Sequence, residues 1–343
     1  MKRLLLSFTL MVAAISLPEM SRAEIDLDYS GDTYFSQNAP PEAQAALEAA
    51  AADINAAIDF SNLSAITDDT ISGSSGDKNV SFNFLQTYFN PADGNLVDVP
   101  NTEIAAGQVN IFAGGRVLSG NTLGQGGPAG SGLSPSGTNG GPGGTFAQAI
   151  ADAEANEQHS RGGAPIIGTL SGSIGGANYS FDQGLHTGSI VFDADTNWHF
   201  DHTAPVAAGR SDFYTVALHE LLHALSFGIG DSWDALVSGT DYLGAEGIAA
   251  NGGSGEDLVF SGGGHLAENV MSVRISDGVM QEVLMDPNIT VGTRKGLTEL
   301  DLAVMRDLGF ITVSAIPEPS SFAFVLAGSV MIGFKRRRSA LTV

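Results

Sequence analysis

The stretch Ser211 to Gly228 is written as a helix that must be buried. Val216, Ala217, Leu218, Leu221, Leu222, Ala224, Leu225 and Phe227 make it apolar almost all round, and a helix of that kind belongs in a core. Ser211 or Asp212 can cap its start and Gly228 can close its end in a left-handed conformation. Inside this apolar segment lies His219-Glu220-Leu221-Leu222-His223. Residues at i and i+4 share a helix face, so two imidazoles one turn apart can reach one metal ion from the same side. Glu220 then stands beside the open coordination position, where a general base for a bound water is needed. Two histidines and a glutamate in a core are costly to leave unpaired, and a metal ion is the simplest way to satisfy all three.

A zinc site that keeps one position for water needs a third protein ligand. The compact form of the motif would carry glycine at position 226 and histidine or aspartate at 229, but this chain has Ser226 and Ile229. Three candidates remain: Asp231 just past the helix, Glu246 further on, and His265 in Gly262-Gly263-Gly264-His265. The glycines favour His265, because they let the backbone approach closely and turn as needed. His199 and His202 form another close pair in a polar loop, read as surface residues or supports behind a site.

Downstream come Met285 in Val283-Leu284-Met285-Asp286-Pro287 and a helical stretch from Thr298 to Leu308. Thr298 and Asp301 have capping-box spacing and Gly309 follows the last turn. With these residues the chain resembles a metzincin-type zinc metalloprotease over roughly residues 80 to 311. In that family a tight turn carries a methionine beneath the metal, and Met285 matches it. Phe192-Asp193-Ala194-Asp195-Thr196-Asn197-Trp198 resembles the stretch before the active-site helix of matrixin-like members. The long gap between His223 and His265 is closer to leishmanolysin-like members. The resemblance implies an α+β fold with a twisted, mainly parallel sheet, an active-site helix, a Met-turn and a C-terminal helix. It also implies a zinc endopeptidase in which Glu220 is catalytic and His219, His223 and His265 hold the metal. A protein or peptide substrate would lie extended along the sheet's edge strand.

Both ends read as addresses. Lys2 and Arg3 precede the apolar run Leu4 to Leu17, and Ser21-Arg22-Ala23 offers small residues for cleavage, as in a secretory signal peptide spanning 1–23. At the other end, Pro317-Glu318-Pro319 precedes an apolar stretch, Ser321 to Phe334, and then Lys335 to Arg338. The segment 314–343 resembles the PEP-CTERM sorting signal of Gram-negative bacteria, whose partner is an exosortase-type enzyme. The domain between, 24–313, would then be exported to the cell envelope, surface or matrix and touch a membrane only through its tail. A plain C-terminal anchor is the simpler alternative.

Removing both ends takes the formal charge from −23 to about −28. Such a surface repels nucleic acid and anionic membranes. Acidic turns such as Asp193 and Asp195 are candidates for calcium, or simply solvated. The chain has no cysteine, so no thiolate ligand, no cysteine nucleophile and no disulfide is possible.

Apolar alternation predicts strands at Glu24 to Tyr29, around Val80, Phe82 and Phe84, at Val109 and Ile111, and at Ser189 to Phe192. Helices are expected from Pro41 to Phe60 and from Thr145 to Gln158. Ser119 to Gly144 lacks any apolar period and is read as a glycine-rich insertion loop, a flexible lid or a solvated linker. Two other functions stay open at this stage: a non-catalytic matrix or envelope protein, and a zinc amidase acting on cell-wall peptides.

Overall fold

A computed structural model describes residues 24–99, 103–163 and 165–313. The segments 1–23 and 314–343, read from sequence as leader and sorting tail, lie outside these residues. Among the described residues no helix is long and apolar enough to cross a membrane.

The chain order is β1 (Glu24–Asp28), α1 (Pro41–Ala57), β2 (Thr70–Ser75), β3 (Lys78–Phe89), β4 (Leu96–Val99) and β5 (Gln108–Arg116). Then follow β6 (Gly124–Pro128), β7 (Gly130–Asn139), α2 (Phe146–Glu154), β8 (Ile166–Ile174), β9 (Ala177–Gly184) and β10 (Thr187–Asp193). The site helix is α3 (Phe213–Ala224), followed by the hairpin β11 (Met271–Val273) and β12 (Met280–Glu282) and the C-terminal helix α4 (Glu299–Asp307). The fold is thus mixed α and β.

Two four-stranded sheets divide the work. The first has the order β1-β5-β10-β6. β1 and β10 both run parallel to β5, and β6 joins antiparallel at the edge. Val109, Ile111 and Ile190 bury one face of this sheet against α1 and α3, together with Leu47, Ile54, Leu218, Leu222, Met285 and Leu300. The second sheet is antiparallel throughout: β3 pairs β2 and β4 along one edge and β7 along the other. Its core holds Val80, Phe82, Phe84, Ile150 and Phe181, closed by α2 and the β8–β9 hairpin. The mainly parallel sheet expected from sequence therefore describes the first sheet only.

The region Ser119 to Gly144 corrects the sequence reading. It is neither lid nor linker, because it supplies β6 to the first sheet and β7 to the second. Its glycines hide the period. Apolar alternation marks a strand only where side chains fill a core, and at Gly124, Gly126 and Gly137 the neighbouring atoms approach so closely that no side chain fits.

Between the two cores runs a buried polar seam. Arg161 is fully buried and donates to the carbonyls of Ser64, Ala105, Gln108 and Leu185 at 2.7 to 3.2 Å. Burial pulls its pKa down to about 10, so it stays charged at neutral pH and ties four segments together. Nearby, His186 Nε2 lies 3.0 Å from Ser131 Oγ and 3.2 Å from Gln183 Nε2. His159 stacks on Phe84 with ring centroids 3.6 Å apart, and neither of its ring nitrogens has a hydrogen-bond partner. Glu157 approaches to 3.8 Å, too far for a hydrogen bond. Burial outweighs the opposing pull of the Asp68 carboxylate and lowers the His159 pKa to about 4, as burial lowers that of His186 to about 3.

Both rings are held neutral in the fold, while an unfolded chain protonates them near 6.5. Stability is accordingly full above that value and is lost as the pH falls through about 4 and then 3. His159→Phe keeps the stack on Phe84 and removes one titrating group. It should recover on the order of 3 kcal/mol at the acid end and little at pH 7.5. Urea melts at pH 7.5 and pH 4.5 test this; equal pH dependence in variant and wild type would refute it.

Candidate metal centre

The site begins with how α3 is tied down. Asp212 caps it, its side chain accepting from the Thr215 N–H at 3.1 Å. The same carboxylate receives Arg294 in a two-point ion pair, Nη2 to Oδ1 at 2.7 Å and Nε to Oδ2 at 2.9 Å. At its far end the helix stops at Ala224. The Phe227 N–H donates to Leu222 and the Ser226 N–H to His223, the pattern of a Schellman turn. The left-handed residue of that turn is Ser226, at φ +77°, with Gly228 following at φ +79°. Gly228 thus comes after the closing turn rather than making it.

Three imidazoles then converge. The Nε2 atoms of His219, His223 and His265 lie 3.1, 3.0 and 3.1 Å apart pairwise. His219 Nδ1 contacts the Leu284 carbonyl at 3.0 Å and His223 Nδ1 the Phe227 carbonyl at 2.8 Å, and His265 bonds to the Gly263 backbone. A carbonyl only accepts, so each Nδ1 carries the ring proton and each Nε2 points a bare lone pair at the other two. Three acceptors facing one another repel unless a cation sits among them. A tetrahedral ion with bonds of about 2.0 Å needs donor edges of about 3.3 Å, within a few tenths of those found. Burial holds the His219 pKa well below the ordinary value, lowers that of His223 to about 4 and lowers that of His265. No proton competes for these nitrogens near neutral pH.

The other candidates sit elsewhere. Asp231 opens a short helical turn, its carboxylate receiving the Thr169 hydroxyl at 3.2 Å. Glu246 pairs with Arg306 at 3.0 Å. His199 lies beside Asp212 in a two-residue strand pair, and His202 faces Tyr214 at 6.2 Å. Asp193 spends both carboxylate oxygens locally, on the Leu118 N–H and the Thr196 hydroxyl. Among the described residues, the three histidines are the one group of three or more His, Cys, Asp or Glu side chains arranged to hold a metal ion.

Met285 is fully buried in the turn that follows. The turn's backbone does the visible work: Leu284 supplies the carbonyl that orients His219. Asp301, buried in the first turn of α4, accepts from the N–H groups of Leu284 and Met285 at 3.0 and 3.2 Å. The capping-box spacing at Thr298 and Asp301 was readable from sequence; this second duty of Asp301 was not.

Glu220 lies under the edge strand β6, where burial raises its pKa to about 8 against a hydrogen bond from Gly126. The pairing explains that bond. Asp193 N–H donates to Leu123 and Ala129 N–H to Thr187, so odd-numbered residues of the strand face β10. Gly124 and Gly126 therefore turn their N–H and C=O groups to the free edge. Their missing side chains matter as much: a Cβ at Gly124 would stand 2.7 Å from Glu220 Cγ, and one at Gly126 would overlap the Glu220 carbonyl. Glycine at 124 and 126, on one strand face, was the signal to look for. Gly124→Ala should displace the Glu220 carboxylate and cut any activity that needs it about tenfold or more while sparing metal content. Turnover and bound metal measured side by side decide this, and undiminished turnover would defeat it.

A cleft of about 920 Å³ runs over the histidines. One wall is Asn121 to Gly126, the other is formed by Asp286, Pro287, Asn288, Ile289 and Val291, and no described residue before Asn121 lines it. Comparisons with protein-family models, with curated proteins and with solved structures found no match.

Proposed function

We propose that this chain is an exported zinc-dependent endopeptidase. The observation that carries the reading is the convergence of three bare imidazole Nε2 atoms within 3.1 Å of one another, beside a buried glutamate at the foot of an open cleft. The donor set supports zinc, since neutral imidazoles suit it and thiolates are absent. The order of parts supports a metzincin-like arrangement: antiparallel edge strand, site helix, distant third histidine, methionine turn, C-terminal helix.

When bound, zinc would supply a Lewis acid that polarises a scissile carbonyl and acidifies water. The chain's own residues do the rest. His219, His223 and His265 hold the ion, each fixed by a carbonyl behind it. Gly124 and the carbonyl of Gly126 offer main-chain groups to an extended polypeptide laid along β6. Glu220, kept ionised by the positive charge that a bound metal would place beside it, takes a proton from the attacking water and returns it to the leaving amine. The leader and tail read from sequence support delivery to the envelope, surface or matrix, with an exosortase-type enzyme acting on the tail.

The purified full-length chain should retain about one zinc after dialysis, and His265→Ala should lose it. It should cleave an unfolded protein, stop with a chelator and resume with zinc. A chain that keeps no zinc ends the proposal. Cleavage confined to a peptidoglycan peptide would make it an amidase, and inertness with zinc in place would favour a matrix role.

A further inference from the structure

His219 and His223 are set four residues apart on one helix, whereas His265 arrives 42 residues later. Its own loop ties it down through the main chain. Phe260 N–H donates to the His265 carbonyl and Leu266 N–H to Met285, and Val259 bridges to Leu266. These bonds hold the chain on either side of His265. What meets the exit of α3 is backbone on backbone, Gly228 against Gly264.

Both glycines are left-handed, at φ +79° and +75°. A Cβ added at Gly228 would overlap the Gly264 carbonyl oxygen and stand 2.6 Å from its Cα and C. We infer that Gly228, which touches no metal, is the positioning residue that sets how near the third donor comes to the other two. The magnitudes decide it. Relieving that overlap needs a shift of about an ångström or more, while metal–donor bonds tolerate about 0.2 Å. A methyl group at 228 thus drives Gly264, and His265 with it, out of bonding range. The inference rests on the histidines binding a metal and not on the reaction proposed.

A neighbouring glycine separates contact from strain: a Cβ at Gly264, equally left-handed, meets only the Gly228 carbonyl oxygen, at an ordinary 3.5 Å. Zinc affinity of the full chain would be measured against a chromophoric chelator, with the cobalt(II) absorption of each variant as a readout of donor geometry.

Gly228→Ala should weaken zinc binding about a hundredfold or more and change the cobalt spectrum. Gly264→Ala should stay within about tenfold, with the wild-type spectrum. Wild-type affinity and spectrum in Gly228→Ala overturn the inference. So does a loss in Gly264→Ala as large as that expected for Gly228→Ala, since the ligand would then depend on loop strain. Should Gly228→Ala fail to fold, the Gly264→Ala result decides. A wild-type chain that takes up no zinc is a different failure, that of the metal site itself.

Discussion

Glu220→Gln is expected to reduce peptide hydrolysis by about a thousandfold or more while leaving zinc content at the wild-type level. The reason is that the amide matches the carboxylate in shape but cannot take a proton. The three donors stay as they are, because each is held by a carbonyl of another residue, at Leu284, Phe227 and Gly263. The Gly126 N–H can still donate to the amide oxygen. Folding should not suffer either. Burial pushes the Glu220 carboxyl up to about 8, so a neutral group in its place spares a desolvation cost. Activity, bound zinc and melting temperature measured on one preparation give the test. Residual cleavage near the wild-type rate would show that Glu220 is not the base.

The site helix was legible because its signals are local. Asp212 at the cap, the histidine spacing and the apolar surround all lie within about five turns of chain. The closing turn was legible only in part, since a left-handed serine at 226 goes against the residue preference that sequence reading relies on. His265 could be named as a candidate from its glycines, but choosing it over Asp231 and Glu246 required knowing where the loop folds back. Strands β6 and β7 were missed for a physical reason. In β6 the informative face is one where side chains are excluded by Glu220 and its helix, so the hydrophobic period vanishes where packing is tightest. The second core went unseen as a unit because its strands are brought together by hairpins and by β7, the strand hidden in the glycine run.

The largest structural effect is expected at Asp301. Its carboxylate is fully buried and accepts four hydrogen bonds: from the N–H groups of Leu284 and Met285, and from the N–H and hydroxyl of Thr298 at 3.0 and 2.7 Å. Asp301→Ala strands three backbone donors, and an unsatisfied buried donor costs about 1 to 3 kcal/mol. A loss on the order of 4 kcal/mol follows, large against a domain stability of about 5 to 15 kcal/mol. Asp301→Asn should recover only part of it, because one oxygen becomes an NH₂ group facing N–H donors. The effect should also reach the metal centre. The peptide held by Asp301 carries the Leu284 carbonyl that fixes His219, and loosening such a support weakens metal binding about ten- to a hundredfold. Urea denaturation and zinc titration of both variants separate the two consequences. Lost stability with unchanged zinc affinity would confine Asp301 to the scaffold, and an unchanged urea midpoint would show that the turn holds itself.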